Sequence, residues 1–63
     1  MIVNNEYFEK MLNNFINGNL SDYKKQLKGL TKIELLRYIR YVYNNSGYSV
    51  EKTITRIIAL LEN

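Results

Sequence analysis

The sequence predicts an all-α protein: a small three- to four-helix bundle in a single domain spanning residues 1–63. Three observations carry this expectation. Apolar residues recur at three-, four- and seven-residue spacings along four stretches, which is the period of a helix with one buried side. Proline is absent, and the three glycines, Gly18, Gly29 and Gly47, each fall where one of these repeats breaks, so they read as helix terminators. No stretch alternates apolar and polar residues as a strand would, and no hairpin dipeptide of the usual kind occurs.

The first helix is expected from Asn5 to Asn17, with Phe8, Met11, Leu12, Phe15 and Ile16 on its inward side. Glu6 and Glu9 lie in its first turn, where carboxylates favour the positive end of the helix dipole. A short second helix, capped by Ser21 and ending at Lys28-Gly29, should turn Leu20, Tyr23, Leu27 and Leu30 inward and leave Lys24, Lys25 and Lys28 outside. At about two turns it cannot be stable alone. The third helix has the strongest start signal, because Thr31-Lys32-Ile33-Glu34 fits a capping box, with Leu30 and Leu35 spaced as a hydrophobic staple. It should continue to about Asn45. Its expected buried residues are Ile33, Leu36, Ile39, Val42 and Tyr43, with Leu35 and Tyr38 at the border and Arg37, Arg40, Tyr41 and Asn44 outside. The fourth helix starts at Ser49 and runs nearly to the end. Val50, Ile54, Ile57, Ile58 and Leu61 form its inward stripe, about half a turn from Lys52, Thr55, Arg56 and Ala59.

Composition narrows the function classes. A core built from 63 residues leaves only about 3 to 5 kcal/mol of stability unless a partner helps. Cysteine and histidine are both absent, so neither disulfides nor a tetrahedral zinc site is expected, and no cofactor is implied. The same absence, with six carboxylates spread over four helix surfaces, argues against an enzyme. An apolar fraction of 46% argues against disorder. No apolar run approaches the ~18 residues of a membrane span, so no membrane partner is expected. The opening Met1-Ile2-Val3-Asn4-Asn5-Glu6 lacks the basic and apolar regions of a signal peptide, which points to a cytoplasmic protein.

The net charge of +3 is unevenly placed. Residues 22–43 hold Lys24, Lys25, Lys28, Lys32, Arg37 and Arg40 against Asp22 and Glu34, six cations against two anions, while both flanks are near neutral. A basic middle suggests a polyanion or an acidic protein surface as partner, or simply a solvated face that keeps a small protein soluble. The tyrosines divide in the same way, between rings packed on the core and rings free for contact. Tyr41, beside Arg37 and Arg40, belongs to the expected contact surface.

Helices three and four are joined by Asn44-Asn45-Ser46-Gly47-Tyr48, a short glycine-containing turn. Over residues 39–58, and most closely in Ser49-Val50-Glu51-Lys52-Thr53-Ile54-Thr55-Arg56-Ile57-Ile58, the chain resembles the recognition-helix segment of bacterial helix-turn-helix DNA-binding regulators. That resemblance implies a helix lying in the major groove, preceded by one that crosses the DNA backbone. A second, partial similarity, through Thr31-Lys32-Ile33-Glu34-Leu35-Leu36 and Ser46-Gly47-Tyr48-Ser49, is to the opening helix pair of bacterial histone-like nucleoid proteins, without their β-ribbon arm.

The leading expectation is therefore a non-enzymatic regulator of duplex DNA, of the kind mobile elements encode. In it Lys52, Thr53, Thr55 and Arg56 reach base edges, and Lys24, Lys25, Lys28, Lys32, Arg37 and Arg40 neutralise phosphates. Ser49 and the free amides behind it offer one further phosphate site. The alternative is a protein-binding inhibitor or adaptor that docks a basic, tyrosine-rich helical surface on an acidic protein. Self-association as a homodimer is expected as well, because the apolar arc of the fourth helix, widened by Leu60, exceeds what one neighbour covers.

Overall fold

A computed structural model of the chain describes residues 3–62. Met1 and Ile2, part of the stretch considered above for a leader, and Asn63 lie outside the described residues. Four helices follow in order: α1 (Asn5–Ile16), α2 (Leu20–Lys28), α3 (Lys32–Ser46) and α4 (Val50–Glu62). No strand occurs among the described residues, so the architecture is an all-α bundle. α1 packs on α2 and α3, and α4 packs on α3 and α2.

Each boundary has a local cause. The Asn4 side chain accepts the Tyr7 amide at 3.1 Å and starts α1. At its far end Gly18 takes φ +80, the Gly18 amide returns to the Phe15 carbonyl and the Asn19 amide to that of Asn14, so carbonyls left over by the last turn are satisfied. Asn17 thus caps α1 rather than extending it. α2 then begins at once, at Leu20. Ser21, expected to be its cap, lies inside the first turn, and Asn19 holds the cap position without a side-chain bond to the helix. The Asn19 side chain is spent elsewhere, donating to Asn14 Oδ1 at 3.4 Å, while the Asn14 amide donates to Gln26 Oε1 at 3.0 Å and ties α1 to α2.

The capping box forms as expected, with the Glu34 amide on Thr31 Oγ1 at 3.2 Å and the Thr31 amide on Glu34 Oε1 at 2.8 Å. α3 ends at Gly47, whose φ of +75 is a left-handed conformation that costs an L side chain. Ser49 Oγ accepts the Lys52 amide at 3.1 Å and opens α4.

The core is aromatic at its centre. Phe8 of α1 meets Tyr38 of α3 edge-on at 5.5 Å between ring centroids, Tyr23 of α2 lies 5.2 Å from Phe15, and Met11, Leu12, Leu27, Ile39, Val42 and Ile57 fill the remainder. The Tyr23 and Tyr38 hydroxyls share a buried hydrogen bond of 2.8 Å. Burial pushes the Tyr38 phenol well above its ordinary pKa, and the bond and nearby phenols add to the rise. Tyr23 is raised too, by burial, with its bond to Tyr38 partly offsetting the shift.

Several inward assignments are corrected. On α3 the buried side is Tyr38, Ile39 and Val42, with Leu35 half-buried, whereas Ile33, Leu36 and Tyr43 are 54–64% exposed. On α4 the buried residues are Thr53 and Ile57, while Val50, Ile54 and Ile58 are exposed. Ile16 and Leu20 are exposed as well. Both long helices carry apolar residues over more of their circumference than one core covers, so periodicity left the inward phase open. What selects the phase is polar satisfaction. Tyr38 can be fully buried because Tyr23 meets its hydroxyl, and Thr53 because its hydroxyl donates to the Ser49 carbonyl at 3.0 Å.

Candidate interaction surfaces

The residues expected to contact DNA fall into separate places. Ser49, Lys52, Thr55 and Arg56 rim one open hollow at the start of α4, together with Glu51. Arg37, Arg40 and Tyr41 line a second hollow, between α3 and the N-terminal turn of α1, where Glu6 also stands. Lys25 and Lys28 project from α2 and Lys32 from the start of α3, all exposed, and Lys24 is half-buried.

Three of the expected contacts are compromised by packing. Thr53, placed above at a base-reading edge, is 6% exposed and hydrogen-bonded to its own helix, so it belongs to the core. Tyr41, assigned to the contact surface, is half-buried with its ring tilted on Phe8 at 5.7 Å. Arg56 holds its guanidinium 5.5 Å from the Phe15 ring centre, a cation–π arrangement that keeps it against α1. Thr55 is exposed, but its hydroxyl already donates to the Glu51 carbonyl at 2.9 Å. Tyr41 and Arg56 rest on rings two turns of α1 apart, roughly 10 Å along its axis. Arg37 and Tyr41 thus border one hollow, and Lys52 and Arg56 another.

A different surface emerges on the side turned away from α1. Tyr41 marks the part of α3 that faces α1, and Arg37, one turn before it, follows that side; farther round the helix Ile33, Leu36, Arg40 and Tyr43 follow one another at helical spacing. Arg56 marks the corresponding part of α4. Ile54 and Ile58 lie about half a turn from it, with Val50 on the same line. Both helices thus present exposed aliphatic side chains in the direction opposite α1. Tyr43 and Tyr48, at 54% and 44% exposure, stand on either side of the Gly47 turn that joins them. The sequence signal for this surface is an apolar arc wider than one neighbour covers, present on both α3 and α4.

Comparison with protein-family models, with curated proteins and with solved structures finds no match to this chain. Among the described residues no helix is long and apolar enough to cross a membrane, and no cluster of three or more acidic side chains could hold a metal ion.

Proposed function

We propose that the chain is a non-catalytic protein-interaction module that docks the outward side of α3 on a protein surface which is apolar and rimmed by carboxylates. One observation carries this: Ile33, Leu36 and Tyr43 stand 54–64% exposed, with Arg40 one turn from Leu36 and from Tyr43 on the same helix side. Aliphatic side chains left in water cost free energy that only a covering surface returns, about 25 cal/mol per Å². The interleaved Arg40 guanidinium adds the demand for an acidic partner, which it meets with fork geometry. With so little core, acting by occupying another surface is also the route that stabilises the fold.

Duplex DNA remains the second reading, favoured by the joint placement of Ser49, Lys52, Thr55 and Arg56 around one hollow at the start of α4. A photoreactive residue placed at Leu36 or at Lys52 in expressing cells separates the two. The docking reading expects protein adducts from Leu36 and no nucleic-acid adducts from Lys52. Nucleic acid captured at Lys52, no protein at Leu36, and a mobility shift of duplex DNA at low salt would replace it by the DNA reading.

A further inference from the structure

We infer that the carboxylate-rimmed apolar surface which α3 fits is α4 of a second copy of this chain, so that two copies close on each other through two equivalent α3–α4 contacts. This rests on the docking reading above and names its occupant.

On the outward side of α4, Val50, Ile54 and Ile58 are 38–49% exposed. Glu51 and Glu62 flank Ile58 seven residues before and four after, on the same side of the helix, and both are exposed. The cations of α4 lie toward α1, and share with Glu51 only the hollow at the start of the helix. Arg56 lies over Phe15 on the α1 side, and Lys52, one turn before it, follows the same side. The outward side of α4 is therefore apolar and acidic, and that of α3 apolar and basic. Because both face away from α1, neither covers the other within one copy.

A second copy resolves this. A twofold axis lying in the contact plane sets α3 of one copy on α4 of the other and, by the same rotation, α4 on α3, which closes the assembly at two. Arg40 then meets the edge that carries Glu51 and Glu62. Pairing α3 with its own copy would instead set Arg40 against itself. Six large apolar side chains 38–64% exposed on two adjoining helices are more than the scattered single residues of an ordinary monomer surface.

Two charge-reversed variants test the pairing: R40E and E51K/E62K. All three positions are exposed, and circular dichroism checks that each variant is folded. In sedimentation the native chain is expected to run as a dimer at micromolar concentration, and each variant alone to associate at least ~10-fold more weakly. Mixing the two variants is expected to restore a one-to-one dimer, since reversed α3 then meets reversed α4. A native chain that stays monomeric up to millimolar concentration overturns the inference. So does a dimer indifferent to the reversals, or a mixture that remains monomeric. If the native chain is monomeric while Leu36 still crosslinks to another protein in cells, the inference falls and the docking reading stands; if Leu36 captures no protein either, both fall.

Discussion

Replacing Tyr38 with phenylalanine should be among the most costly small changes in this chain, and the structure says why. The ring is fully buried and its hydroxyl is bonded to that of Tyr23 at 2.8 Å, itself only 3% exposed. Removing one oxygen leaves the other phenol dry and unpaired, a loss of about 1–3 kcal/mol. Against a total stability of roughly 3 to 5 kcal/mol, that is a fifth or more of the margin. Tyr23→Phe should cost a similar amount for the same reason. Replacing both should cost less than their sum, because no orphaned hydroxyl remains, and a double-mutant cycle should return a coupling of about 1 kcal/mol or more. Urea unfolding followed by far-ultraviolet circular dichroism at neutral pH and fixed protein concentration gives all four stabilities. Single variants within ~0.3 kcal/mol of the native chain, or strictly additive costs, would refute the claim that the bond is a mutual satisfaction of buried groups.

Alkaline pH probes the same pair. Both phenols are raised in the folded state, so their contribution is fully present below the unfolded value near 10 and is lost as pH climbs above it; stability flat through about pH 11 would contradict this. Thr31→Ala removes one arm of the capping box and should lower stability by about 1 kcal/mol, measured by the same urea titration. Gly47→Ala meets no atom within 4 Å of the added Cβ, so its expected cost of about 1–2 kcal/mol is conformational alone, arising from φ +75. Gly29→Ala, at a position with ordinary φ, serves as the contrasting variant and should cost less.

Those capping effects were legible in the sequence because they are local. Thr31-Lys32-Ile33-Glu34 and the Gly47 turn need only neighbours along the chain to form, and both appear where expected. The inward phases of α3 and α4 were not legible, because they depend on what arrives from other helices. α3 has two apolar sides, and only the presence of Phe8 and Tyr23 decides that Tyr38 turns in and Leu36 turns out. Thr53 was misplaced for a related reason. Its polarity suggested an exposed edge, yet a threonine on a helix can satisfy its hydroxyl on the carbonyl four residues back and be buried as a small apolar group. The basic residues are mostly exposed, as their charge dictates, but exposure does not gather them, and the fold distributes them over several sides.

Arg56 occupies a position with a further consequence. Its guanidinium roofs Phe15, and it borders a small gap lined by Leu12, Tyr23 and Tyr38. The guanidinium therefore covers one side of that ring, and drawing it outward is expected to expose the ring to water. Engagement of Arg56 would thus be audible at a distance, as faster amide exchange in α1 rather than as a change confined to α4.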